Sequence, residues 1–284
     1  MPVDAIVGYD GSPTASAAID AGALLFPQAH AWLTYLWTPP FASERLRRRL
    51  RAVAHDVNEL IEMIEREGER EAERLVASGV TLARAAGWDA EPVVKRTFGG
   101  EGLHLPQLAE QLRADLVLVG SRGLRGTQAA LDSVSDMVVH YATRPVLVVP
   151  HPLLAGEYAA LPDGSIVVGW DGSDGAEKAF EAARRLFPNR DVLLASVDQD
   201  AAAAPPVGRS EPAGREVLRL RVDSGHGFHA RATSDALIGC ADEHNAAVLI
   251  VGSRGRSAAR EILLGSVAMG AVHHSHRPVM VVPA

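Results

Sequence analysis

The chain is written twice. Ile6-Val7-Gly8-Tyr9-Asp10-Gly11-Ser12 returns as Val167-Val168-Gly169-Trp170-Asp171-Gly172-Ser173, and Asp115–Gly123 returns as Ala247–Gly255. Arg144–Pro150 returns as Arg277–Pro283. Three matched segments in one order define two tandem copies of a single unit, and 284 residues give each copy the length of a domain. The first domain is expected over 1–151 and the second over 162–284. Their short connection, His151–Ala160, predicts that the copies pack together, face to face.

The copies differ in length. Asp10 and Asp171 are 161 residues apart, but Gly120 and Gly252 are 132 apart, so copy one holds 29 extra residues between those landmarks. The excess falls at 44–78, which reads as one long charged helix with Leu46, Leu50, Val53, Val57, Leu60 and Ile64 at alternating spacings of four and three. That seam suits packing on the chain's own sheet or a coiled contact with another molecule. The run Arg45, Arg47, Arg48, Arg49 and Arg51 is followed by glutamates and reads as a solvated, self-complementary face. Copy two has instead Asp198–Arg215, rich in Ala, Pro and Gly, which reads as a mobile loop.

Within each copy, short runs such as Leu116–Val119 and Val146–Val149 are apolar throughout, the pattern of strands covered on both faces. Alternation with helical segments makes the fold class α/β, with an open, doubly wound, five-stranded parallel sheet in each copy. Ligand is expected beyond the carboxyl ends of the strands, and the repeated motifs fall there.

In copy two, Gly252-Ser-Arg-Gly255 ends a strand, nine residues follow, and Gly265-Ser266-Val267 opens a helix. Glycines admit close backbone approach, and a helix N-terminus offers unpaired N–H groups to an anion. A phosphate chain could lie between these elements, with the Ser266 hydroxyl as a donor and Asp171 meeting a ribose or a cation. A purely structural arrangement is the alternative, in which Gly252 and Gly255 make a turn and Gly265-Ser266 caps a helix.

The constellation resembles the universal stress protein family across nearly the whole chain, and copy two carries that family's G-x2-G-x9-G-[ST] signature. The resemblance implies Rossmann-like domains of the adenine nucleotide alpha hydrolase-like kind, ATP as ligand with Mg2+, a homodimer, and a stress-response role without turnover. A slow ATPase or a nucleotide-free interaction protein are the alternatives. It assigns Gly252, Gly255, Gly265, Ser266 and Val267 to phosphates and ribose, Asp171 to the nucleotide side of the first strand end, and Val197 to adenine. Gly169, Trp170, Val251, Arg254 and Ala268 complete that site. The counterparts in copy one are Gly8, Asp10, Leu36, Gly120, Arg122, Gly123, Ser133, Val134 and Ser135. There the pattern departs, because Asp132 stands where the second glycine aligns, with one residue fewer before it, and a carboxylate repels phosphate.

Other chemistry is not indicated. The net charge of −7 gives no basic footprint, so nucleic acid is not an expected partner. Neither lysine, Lys95 or Lys178, follows a glycine, which excludes the P-loop. Gly225-His-Gly-Phe-His-Ala230 fits a dinucleotide fingerprint but follows the third strand of its copy, and reads as a tight turn. His273, His274 and His276, and His226 with His229, are crowded in sequence, but adjacent helical residues point apart, so no metal is assigned. The single cysteine, Cys240, forms no intrachain disulfide, has no evident His partner and reads as a buried inert thiol. With no secretory opening pattern, a cytoplasmic address is expected. The uncharged stretch Ala21–Ser43 is broken by Pro27 and Pro39-Pro40 before it could span a bilayer.

Overall fold

The computed structural model describes residues 2–37, 44–97, 101–121, 134–197, 217–222, 229–255 and 264–284. In copy one the order is β1 (Asp4–Gly8), α1 (Pro13–Leu25), β2 (His30–Trp37), α2 (Glu44–Arg51), α3 (Val57–Ala85), β3 (Asp89–Arg96), α4 (Glu101–Gln111), β4 (Leu116–Gly120), α5 (Val134–Tyr141) and β5 (Val146–Val149). The short α6 (Ala155–Ala160) leads to copy two: β6 (Ile166–Gly169), α7 (Asp174–Leu186), β7 (Val192–Val197), β8 (Val217–Val222), α8 (His229–Glu243), β9 (Val248–Gly252), α9 (Ser266–His274) and β10 (Val279–Val282).

Each copy forms the expected five-stranded parallel sheet, but the two do not pack face to face. They join edge to edge into one ten-stranded sheet, β3-β2-β1-β4-β5-β10-β9-β6-β7-β8. The junction is antiparallel, with Val148 opposite Val279, Leu147 opposite Met280 and Val146 opposite Val281. Val-Leu-Val-Val and Val-Met-Val-Val are β-prone and buried throughout. Pairing these two edges satisfies backbone groups that an open sheet would leave exposed.

Successive strand residues alternate between two cores. Ala5, Val7, Leu116, Leu118, Val248 and Ile250 face a layer that includes α1, α3 and α7. Ile6, Val117, Val119, Leu249 and Val251 face α4, α5, α8 and α9. Both cores run across the junction. Phe26 and Phe187, at the ends of α1 and α7, stack with centroids 5.0 Å apart, and Asp115 of copy one pairs with Arg185 of copy two.

The long helix expected over 44–78 is broken and displaced. Asp56 interrupts it as the N-cap of α3, its carboxylate accepting from Glu59 N–H at 2.9 Å. His55 holds Glu59 in turn, its backbone N–H donating at 2.6 Å, which keeps the Glu59 carboxyl below its ordinary pKa. α3 then runs to Ala85. Its buried stripe is Ile64, Gly68, Ala72, Val76, Gly79, Val80 and Ala83, later in the chain than the seam read from sequence. Small residues let it lie close to the sheet: a Cβ at Gly79 would fall 2.6 Å from the Tyr9 ring. Among the described residues, no helix is long and apolar enough to cross a membrane.

Candidate functional site

The carboxyl ends of the parallel strands present the same device twice. After β1 and after β6 the chain turns through Asp-Gly-Ser, with Gly11 at φ 77° and Gly172 at φ 74°, a backbone region that glycine adopts without strain. The aspartate side chain closes the turn: Asp10 accepts from the Ser12 N–H at 2.9 Å, and Asp171 from the Ser173 N–H at 3.0 Å and hydroxyl at 2.6 Å. Each serine also caps the following helix, accepting from Ala15 or Ala176 N–H at 3.2 Å. Both carboxylates are thereby fixed at a strand end.

In copy two the glycines converge on this turn. Gly252 ends β9 against the start of α7; a Cβ there would stand 2.6 Å from the Gly175 carbonyl oxygen. At Gly255 a Cβ would stand 2.7 Å from Asp171 Oδ2. Gly265, the N-cap of α9, donates its N–H to the Ser253 carbonyl at 2.6 Å, and its Cβ position is 4.0 Å from Gly255 N. It supplies no side-chain cap, so the first-turn N–H groups of α9 are not met by one. Ser266 is exposed, Val267 half-buried and Ala268 buried beneath them. Gly169 and Val251 close the floor, with Leu237 3.1 Å from the Cβ position of Gly169. Val197 ends β7 and is buried.

Two members of the expected set point elsewhere. The Trp170 indole is buried in the core, edge-on to Phe180 at 6.3 Å. Arg254 reaches back to the Ala284 carbonyl at 3.4 Å. Ser253, an unassigned position of G-x-x-G in the sequence reading, ties the end of β9 to the start of α9 and to the residues around β10. Its N–H donates to Val282 O at 2.7 Å, its carbonyl receives Gly265 N–H, and its buried hydroxyl accepts from Ala284 N–H at 3.0 Å. The signal that could have found it is its place between a strand end and the chain's last strand.

In copy one, Gly8, Asp10, Leu36, Gly120, Val134 and Ser135 line one cavity of about 350 Å3. Sequence reasoning missed Tyr35, Thr34 and Leu105, which share its wall. The Ser135 hydroxyl donates to Gly120 O at 2.8 Å, tying the start of α5 to the end of β4. Arg122, Gly123, Asp132 and Ser133 lie outside the described residues, as do the loop 198–215 and His226. The two copies meet through the sheet's second layer, where His273 Nε2, in the last turn of α9, is 3.7 Å from Asp136 Oδ1, in the first turn of α5, and the antiparallel junction points their strand ends in opposite directions.

Cys240 is buried on α8, and burial pushes its thiol up to about 11, with Glu243 adding to the shift. His244, passed over in sequence, lies one turn on with Nδ1 3.9 Å from the sulfur. That nitrogen is also 2.9 Å from the Cys240 carbonyl, which can only accept, so Nδ1 carries the proton and is no base for the thiol.

A doubly wound sheet with an Asp-Gly-Ser turn at a strand end, built twice and joined through the last strand of each copy, defines a tandem α/β protein with candidate ligand sites at its strand ends. The family model for universal stress proteins matches residues 4–150 and again 164–283, and the chain belongs to that family. A universal stress protein of Mycolicibacterium smegmatis is 32% identical over 187 residues, spanning 60% of this chain and 62% of the relative. The crystal structure of a universal stress protein from Archaeoglobus fulgidus DSM 4304 covers 99% of this chain and 98% of its own, with TM-score 0.64 at 18% identity. A putative universal stress protein from Pseudomonas aeruginosa UCBPP-PA14 covers 99% and 92%, with TM-score 0.53 at 13% identity. At such identities these two structures establish a shared fold.

Proposed function

We propose that copy two binds ATP with Mg2+, and that the protein is a nucleotide-gated regulator of the stress response which does not turn its ligand over. The observation that carries this reading is the pair Gly255 and Gly265. Neither has a positive φ, so no turn demands glycine there. At Gly265 the nearest neighbour of a Cβ is Ser253 O at 3.3 Å, and at Gly255 it is the Asp171 carboxylate. With no side chains there, the chain closes around the fixed Asp171 carboxylate and α9 begins without a side-chain cap, and this suits a phosphate chain with its cation. Gly252, Gly255, Gly265 and Ser266 would hold the phosphates, Asp171 the ribose or the cation, and Val197 the adenine. Bound Mg2+ would offset the charge that phosphates bring next to Asp171. Binding without turnover is supported by the same carboxylate, one of whose oxygens already accepts both the N–H and the hydroxyl of Ser173.

The test is calorimetric titration of nucleotide-free protein with Mg-ATP, with Gly265→Asp beside it and phosphate release followed separately. One site per chain, lost in the variant, and release no faster than in a blank are expected. Absence of heat in both proteins overturns the reading, and release above the blank overturns its non-catalytic part.

A further inference from the structure

The cavity of copy one is framed differently from the strand end of copy two. Tyr9, Asp10 and Ser12, in the turn after β1, form one side of it. That turn leans on α3: a Cβ at Gly79 would fall 2.6 Å from the Tyr9 ring, the Tyr9 hydroxyl is 3.5 Å from Ser78 Oγ, and Leu75 lies 3.4 Å from the Cβ position of Gly11. The helix that lengthens copy one thus braces the strand end at which Asp10 is fixed. In copy two the corresponding Trp170 turns to Phe180 instead.

The features that would hold a phosphate in copy two are altered here. α5 has Asp136 in its first turn, buried, where it complements the helix dipole and lies 3.7 Å from His273 Nε2. The Ser135 hydroxyl donates to Gly120 O. Val134, at the start of α5, stands 41% exposed on the cavity lining, and the sequence has Asp132 at the place of Gly265. Thr14 replaces Gly175, and its hydroxyl is 2.9 Å from that of Ser12, whereas the Ser173 hydroxyl of copy two goes to Asp171. Among the described residues, the cavity is lined by one charged side chain, Asp10, and by no lysine, arginine or histidine. An anion entering it would meet carboxylates without a basic side chain to offset them.

We infer that copy one binds a nucleoside that carries no phosphate, so that the two copies take ligands of different charge. The cavity's volume of about 350 Å3 suits a ligand of that size. Leu36, Leu105, Val119 and Val134 give it apolar walls for an uncharged ring. Asp10, held at the strand end by the Ser12 N–H, accepts from sugar hydroxyls, as a carboxylate at the end of a doubly wound strand can. The inference stands on the residues of copy one and goes beyond the reading of copy two.

The experiment titrates the full chain, saturated with Mg-ATP, with adenosine and separately with AMP, two probes that differ only by the phosphate. Adenosine should bind at one site per chain without displacing ATP, and AMP at least about tenfold more weakly. Asp136→Asn, which removes the charge and keeps the shape, should narrow that gap. Val134→Trp, which crowds the cavity from an exposed position, should weaken adenosine at least about tenfold with circular dichroism unchanged. Light-driven labelling with 8-azidoadenosine locates the site whether or not copy two takes ATP, so failure of that reading is told apart from failure of this one. Labelled peptides should come from β2 or α5. No heat with adenosine, AMP bound as tightly as adenosine, a gap that Asp136→Asn leaves as wide, or label confined to β7 and α9 overturns the inference.

Discussion

Copies one and two share the strand-to-helix turn and part company on either side of it. The turn is the same to within a tenth of an ångström in its backbone hydrogen bond, Asp10 to Ser12 against Asp171 to Ser173. On the glycine side of the turn, α9 starts from a bare glycine with no acid in its first turn, whereas α5 has Asp136 there, where a carboxylate already complements the helix dipole. Ser135 fastens α5 to β4, and the matching position in copy two is Ala268. The register behind this match is visible in packing: Met137 lies 2.4 Å from the Cβ position of Gly102, and Ser234 2.5 Å from that of Gly270. The knob and the socket have changed sides, while the helix pair keeps its spacing. At the other end, copy one carries α3 and Trp88. The repeated element is the part that holds a carboxylate in place, and divergence has fallen on what surrounds it.

The largest effect belongs to the addition in copy one. Trp88 is buried, donates its indole N–H to Phe26 O at 2.7 Å, and sits over Gly22, whose Cβ would fall 2.6 Å from the ring. Trp88→Ala should cost about 3–5 kcal/mol in urea unfolding. Since both cores cross the β5–β10 junction, the loss should move a single transition. Two separated transitions would mean that the copies are independent units, contrary to the continuous sheet. Next come the paired glycines Gly120 and Gly252. A Cβ would meet Thr14 O at 2.5 Å in one copy and Gly175 O at 2.6 Å in the other, so either alanine should destabilise by about 1–3 kcal/mol. Near-equal costs would mark this first glycine of G-x-x-G as the seat of a helix on a strand in both copies. A Gly252→Ala protein that keeps full stability and loses ATP would instead give it to the ligand. Ser135→Ala, which makes copy one resemble copy two, should cost about 1 kcal/mol by chemical denaturation, for one buried hydrogen bond. The reverse change, Ala268→Ser, should leave stability nearly unchanged.

The duplication, the strand runs and the Asp-Gly-Ser turns were legible because they are local and repeat verbatim. The edge-to-edge junction was not: Val146–Val149 and Val279–Val282 read as buried strands whichever neighbour they take, and periodicity carries no information on the partner. The long helix misled for a related reason. The spacing of Leu46 to Ile64 continues through Asp56, but a side chain able to cap a backbone N–H ends one helix and begins another, and a seam can be periodic without being covered. At the candidate site, the glycine spacing pointed to Gly252, Gly255 and Gly265, which the fold gathers around the Asp171 turn. It could not show that Trp170 turns into the core while Ser253 anchors the loop, because both depend on which side of a strand end the chain leaves.

The smallest effect tests whether a difference between the copies lies in packing or in chemistry. Cys240 on α8 occupies the position that Leu108 holds on α4, each buried against the second core. Burial holds the thiol protonated up to about pH 11 from an ordinary value of 9. In the folded state the proton is therefore retained over a range where the unfolded chain has released it, and stability should fall as pH rises from about 9 to 11. Below pH 9 the contribution is constant. Cys240→Ser, which leaves no group titrating in that window, should flatten the slope there. Labelling with a thiol reagent at pH 8 should be slow in the native protein and complete on unfolding, since the reactive thiolate is the disfavoured form. Rapid labelling of the native protein would mean that the His244 ring activates the sulfur instead of bonding to the Cys240 carbonyl, and copy two would then differ from copy one by a reactive group rather than by a substitution in the core.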